Sequence, residues 1–188
     1  MVPQFSDCGL LIIDMQEKLL DTIPEDVREQ LLKNVEILIE LAKDLDASIF
    51  YTEQYPRGLG PTHPRLKEKL LKTDAIRVEK VAFSCLAESD FCLKVTPHLP
   101  QSLIVVGLEA HICVLMTCLD ILADDEQDYR DIYVPQDCTA SRKKANWKNA
   151  LSQLQELGVF VTNTETIVYE ALEEAGTDMF KKYSKMLR

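Results

Sequence analysis

Two short, uninterrupted apolar runs constrain this chain more than any other feature: CGLLII at 8–13, closed by Asp14, and SLIVVG at 102–107. A strand with one wet face alternates apolar and polar residues. A strand that is apolar throughout has both faces covered, which is the position of a parallel strand between two helical layers. SIFYTE (48–53), AIRVEK (75–80), DIYVP (131–135) and VFVTN (159–163) supply four further strand candidates. The stretches between them read as helices. Pro24 to Leu45 has Val27, Leu31, Val35, Leu38 and Leu41/Ala42 on one face, and Pro24 suits a helix start. Shorter helices are expected at 64–72, 86–95 and about 111–124. Another runs from Ser141, a plausible N-cap, to Leu157, with Gly158 at C′. Helical sequence also fills 164–187. The pattern predicts one α/β domain over 1–188: a doubly wound, three-layer fold on a six-stranded, mostly parallel sheet. The 188 residues suffice for a single core.

In such sheets ligands sit beyond the carboxyl ends of the strands. Asp14 ends the first strand and Lys80 ends the third. After the fourth, GLEAHIC places Cys113 in the first turn of a helix. A carboxylate, an ammonium and a thiol therefore fall on one rim, although they are far apart in sequence. A carboxylate can take a thiol proton and hand it to a leaving amine. A lysine can hold that carboxylate. A helix N-terminus is expected to lower the thiol pKa, and backbone N–H groups at the helix start can bind an oxyanion.

IIDMQ (12–16), EKVAFS (79–84) and VGLEAHICVLMTCLD (106–120) resemble the isochorismatase-like cysteine hydrolase superfamily. TEQYPRGLGPTHP (52–64) is similar to its subgroup of isochorismatase domain-containing proteins. The resemblance runs from about residue 8 to residue 170. It implies a catalytic triad of Asp14, Lys80 and Cys113. It also implies a cis peptide between Leu108 and Glu109, an oxyanion hole from the backbone N–H groups of Glu109 and Cys113, and a pocket lined by Gln16, Gln54 and Phe83.

Nicotinamidases of that superfamily bind a divalent metal through an Asp-x-His motif after strand two. Here that place reads Thr52-Glu53-Gln54-Tyr55-Pro56, and the only nearby histidine is His63. No metal and no cofactor are expected; GxxxxGK[ST] and GxGxxG are both absent. True isochorismatases cleave a vinyl ether and do not need the thiol, so Cys113 favours attack on an acyl carbon. The expected activity is metal-independent hydrolysis of a small amide-like C–N substrate through a Cys thioester. The alternatives are a non-catalytic binding or scaffold protein on the same fold, and a nicotinamidase.

The formal net charge of −10 argues against nucleic-acid and anionic-membrane partners. Its densest acidic stretch, Asp124–Asp131, reads as a solvated loop. Arg142-Lys143-Lys144 reads as a solvated helix start that could also greet an anionic substrate. No apolar run reaches the ~18 residues of a membrane helix, and the N-terminus carries no secretory pattern. A cytosolic location is the default. The six cysteines show no CxxC spacing and read as free thiols. Cys118 lies ~140° around the helix from Cys113, so the two should not pair, and Cys138 reads as a packing residue. A homo-oligomer is expected from the resemblance. Part of the C-terminal apolar set (Ile167, Val168, Ala171, Leu172, Met179, Phe180, Tyr183) is a candidate isologous patch, and the rest should cover the subunit's own sheet.

Overall fold

A computed structural model describes residues 7–124 and 131–188. Its strands are β1 (Cys8–Ile13), β2 (Ser48–Gln54), β3 (Ile76–Lys80), β4 (Ser102–Gly107), β5 (Asp131–Pro135) and β6 (Phe160–Thr162). The helices are α1 (Glu17–Leu20), α2 (Glu25–Asp44), α3 (Pro56–Leu59), α4 (Pro64–Leu70), α5 (Ser89–Lys94), α6 (Leu115–Leu122), α7 (Lys144–Glu156), α8 (Thr164–Leu172) and α9 (Asp178–Met186). Every strand pairing is parallel, in the order β3-β2-β1-β4-β5-β6. The chain winds outward from β1 to β3, returns to place β4 beside β1, and winds outward again. The switch point between β1 and β4 is where such sheets open a binding crevice.

The continuous apolar runs are explained by two cores. Along β1, Leu10 and Ile12 enter one, beneath α2, α4, α8 and α9, while Leu11 and Ile13 enter the other, beneath α5, α6 and α7. Successive side chains of a strand point to opposite faces, so a strand covered on both must be apolar at every position. At the switch point Gly107 has φ +123°, and a Cβ there would stand 2.0 Å from the Ile13 carbonyl oxygen. Only glycine lets β4 and β1 end this close together. The Leu108 N–H then donates to Ile13 O (2.9 Å) and draws the following turn toward Asp14.

Some expectations are corrected. Helix α7 starts at Lys144, not Ser141; Ser141 is buried and bonds His111 instead of capping. Val27 is 43% exposed, because the first turn of α2 overhangs a hollow instead of the core. Residues 110–114 form a single π turn ahead of α6, so the helix carrying Cys113 begins irregularly. Gly158 does follow the end of α7, at φ +89°. The C-terminal apolar set serves this subunit. Ile167, Val168, Leu172 and Tyr183 are buried, and Ala171, Met179 and Phe180 pack on the same core. The Tyr183 hydroxyl donates to Asp44 (2.8 Å), locking α9 onto α2. Most of the acidic stretch at 124–131 lies outside the described residues.

Candidate active site

The site starts with Asp14, which leaves β1 in the left-handed region at φ +52°, a conformation that Asp adopts more readily than most residues. Its N–H donates to Thr52 O (3.2 Å), and its carboxylate is fully buried. A buried carboxylate needs partners. Thr52 donates its hydroxyl to Oδ1 at 2.7 Å, and Lys80 places its ammonium 2.7 Å from Oδ2. Thr52 is a residue the sequence reading missed. The signal was present, since β2 is a buried strand in which Thr52 and Gln54 share a face by the period of two.

Lys80 stands beside Gln54 in the β2–β3 register. Its ammonium also donates to Gln54 Oε1 (2.6 Å) and to the carbonyls of Ala82 and Phe83 (3.2 Å each). Burial works to discharge Lys80, but Asp14 and the neighbouring thiols outweigh it and hold its pKa above the ordinary lysine value.

Cys113 lies in the π turn and is 7% exposed. Burial, followed by the charge of Asp14, pushes its thiol up to about 12, and Lys80 offsets this only in part. The expectation of a thiol acidified by the helix start is therefore overturned. The helix dipole is outweighed by desolvation and by a carboxylate close enough to accept the thiol's hydrogen bond. The site thus sets a thiol whose proton burial holds beside a buried carboxylate and the ammonium paired with it.

The Leu108–Glu109 peptide is cis. The Ala110 N–H is spent on Ala140 O (2.9 Å), whereas the Glu109 N–H has no acceptor among the described residues. The Glu109 side chain is buried and bound through Oε1 by the Arg142 Nε; its Oε2 has no hydrogen bond and lies 3.5 Å from His111 Nδ1. Ser141 and Asn146 hold the two nitrogens of the His111 ring. Neither the Glu109 side chain nor His111 was anticipated.

The expected pocket residues divide. Gln54 touches Lys80 and also donates to Val81 O (2.8 Å). Phe83 is 56% exposed at the rim. Gln16 is corrected: it is fully buried, and its amide is spent on Gln54 O (3.0 Å), Gly60 O (2.6 Å) and Gln54 N–H (2.7 Å). It staples the 54–60 loop and offers substrate nothing. The positions where a metal could be sought are also occupied. Glu53 takes both the N–H and the hydroxyl of Thr62 at 2.8 Å and pairs with Arg77, while His63 caps α4 through Nδ1. No three His, Cys, Asp or Glu side chains among the described residues are grouped to hold a metal ion. All six cysteines are free, and Cys138 is buried against Thr164 Oγ1 (3.0 Å).

Comparison with known proteins identifies the family. The isochorismatase domain model matches residues 8–166. The chain belongs to the isochorismatase family. Members of this family are hydrolases. Isochorismatase domain-containing protein 2B of Mus musculus is 32% identical over 179 residues, covering 95% of this chain and 80% of the mouse protein. Among solved structures, the MAR1 ribonuclease from Caenorhabditis elegans superposes with a TM-score of 0.86 at 28% identity, covering all of this chain and 92% of that one. The YcaC gene product of Escherichia coli, an octameric hydrolase of unknown specificity, gives a TM-score of 0.81 at 21% identity, covering 97% of this chain and 85% of that one. The isochorismatase fold is thus present throughout, and no helix among the described residues is long and apolar enough to cross a membrane.

Proposed function

We propose that this protein hydrolyses a small amide-like C–N bond through a Cys113 thioester. The observation that carries the reading is the buried Asp14–Lys80 pair set against the Cys113 thiol. As the sulfur attacks the acyl carbon, Asp14 takes the thiol proton and an S–C bond forms. The carbonyl oxygen gains negative charge and is met by the Glu109 and Cys113 N–H groups. Asp14 then gives its proton to the departing nitrogen and the C–N bond breaks, releasing the amine or ammonia. A water, deprotonated by Asp14, attacks the thioester, yielding the acid and restoring the thiol. Lys80 keeps its charge throughout and holds the carboxylate in line. Gln54 and Phe83 line the entrance.

The reading is metal-independent, because Glu53 and His63 are committed to Thr62, Arg77 and a helix cap. Six free thiols suit a reducing compartment and support a cytosolic location. Octameric YcaC supports a homo-oligomer on this fold. A net charge of −10 speaks against RNA as substrate, despite the name of the worm relative.

The test is a panel of small amides and ureides assayed for ammonia release, with intact-mass analysis of acid-quenched protein. Turnover with an acyl adduct on Cys113, both absent in Cys113→Ser, is the expected result. Ammonia release that survives Cys113→Ser would reject the thioester. No adduct and no release across the panel would favour a non-catalytic binding protein.

A further inference from the structure

A hollow of about 610 Å³ opens on the same rim of the sheet, between the start of α2, the segment that follows β5, and Trp147 of α7. Its size suits a small organic ligand, and Asp14, Lys80 and Cys113 take no part in its lining. One wall is apolar: Val27, Leu31 and Trp147. Val27 is unusually exposed for an apolar residue of an amphipathic helix, and this wall accounts for it. The Trp147 indole is fixed by its N–H to Thr139 Oγ1 (3.2 Å).

Two cations also line the hollow. Arg142 has its Nε on the buried Glu109 carboxylate, which fixes the guanidinium while leaving its two Nη groups without a partner among the described residues. An arginine held in this way loses little freedom on binding a carboxylate through its free edge. Lys144 also lines the hollow and has no protein partner among the described residues. The Asp26 and Asp137 side chains stand in the same lining. Asp137 is quieted by the N–H and hydroxyl of Thr164 (2.9 and 3.0 Å), yet both carboxylates oppose a second negative charge on a ligand.

We infer that this hollow binds a small monocarboxylate with a compact apolar body. The carboxylate bridges Arg142 and Lys144, and the body lies on Val27, Leu31 and the Trp147 indole. The inference does not depend on hydrolysis at Cys113.

Trp147 is the only tryptophan of the chain, so its fluorescence reports on this site alone. Benzoate and hexanoate are titrated into the full-length protein, with benzyl alcohol, phthalate and phosphate as comparisons. A saturable change is expected with the two monocarboxylates below about 10 mM, the weak end for a small ligand. Cys113→Ser should bind unchanged, which separates this site from the catalytic reading. Arg142→Met should weaken binding at least tenfold. Because that change also strips Glu109 of its partner, Lys144→Met is measured alongside and should weaken binding severalfold in a normally folded protein. No saturation, equal affinity for benzyl alcohol or phthalate, or wild-type binding in Lys144→Met with Arg142→Met unaffected or unfolded, would overturn the inference.

Discussion

Thr52 on β2 donates its hydroxyl to Asp14 Oδ1 at 2.7 Å, on the side of the carboxylate opposite Lys80. The carboxylate is therefore pinned from both edges, and its orientation toward Cys113 is set by the neighbouring strand. Thr52→Val keeps the shape and removes the donor. A hydrogen bond to a charged group is worth about 1.5–3 kcal/mol. The expected result is a fall in kcat of about tenfold or more, with a modest drop in Tm and little change in KM. A Thr52→Ser variant, which restores the hydroxyl, should recover most of the rate. Equal kcat in Thr52→Val and wild type would mean that Thr52 only fills space.

Much of this was legible in the sequence, for physical reasons that differ by residue. Apolar runs at β1 and β4 are forced by burial on both faces, so they announce a parallel sheet. Asp14 and Lys80 announce themselves because a charged residue closing a buried strand must have a partner. Gln16 misled, since its resemblance-based place in the pocket says nothing about which way an amide points; here three backbone groups take it. Ser141 misled because a serine before a helix reads as a cap, whereas His111, 30 residues away, claims its hydroxyl. Long-range polar contacts of this kind have no local pattern. The thiol pKa failed for the same reason. A helix start is visible in sequence, but the depth of burial and the nearness of Asp14 are not.

Removing either member of the Asp14–Lys80 pair strands the other in a buried place. Lys80→Met leaves the carboxylate of Asp14 with only the neutral hydroxyl of Thr52 and thiol of Cys113, and breaking a buried pair costs about 3–5 kcal/mol. A clear loss of thermal stability and of turnover is expected. Asp14→Asn is more informative, because asparagine tolerates the positive φ. Turnover should fall by about 10²–10⁴ if Asp14 is the base proposed above. The Cys113 thiol should become more acidic, since Asp14 raises its pKa and Lys80 lowers it. Iodoacetamide modification mapped to Cys113 across pH separates the two effects. Wild type should show a rate that climbs without a plateau below about pH 10, as a raised thiol pKa demands, and Asp14→Asn should show an inflection at lower pH. An unchanged profile in the variant would mean that the thiol does not sense Asp14.

Gly107 joins the two strand ends that carry Asp14 and the Leu108–Glu109 turn. An alanine there places a Cβ 2.0 Å from the Ile13 carbonyl oxygen, in a backbone conformation at φ +123° that L-residues rarely adopt. Backbone atoms of two central strands cannot step aside cheaply. Gly107→Ala is expected to lose about 3 kcal/mol in urea unfolding, at the upper end of ordinary point mutations, and to lose kcat as Asp14 and the Glu109 turn separate. Gly158→Ala tests the reasoning, because that glycine meets no atom within 4 Å. It should cost far less and leave turnover intact. Equal costs at the two positions would show that close approach at Gly107 is not what matters.

Stability should fall steeply on the alkaline side. Burial raises the thiols of Cys8, Cys85 and Cys113 from the ordinary 9.0 to about 12, and pushes Cys118 and Cys138 up as well. It also raises the Tyr133 hydroxyl from 10.0 to about 12, and burial together with Asp44 raises that of Tyr183. Each group holds its proton longer in the folded chain than in the unfolded one. Between pH 9 and 12 the folded state therefore binds more protons, and stability decreases as pH rises. Near pH 7 both states are almost fully protonated at these sites, so the contribution there is complete and flat. The urea midpoint should accordingly hold steady around pH 7, begin to fall from about pH 8 as the unfolded thiols ionise, and drop progressively above pH 9. Replacing Cys118, wholly enclosed between α6 and the sheet, with alanine should lower the midpoint at pH 7 through the lost packing and flatten the alkaline slope. A midpoint at pH 10.5 equal to that at pH 7 would show that these buried thiols and phenols do not govern the alkaline limit.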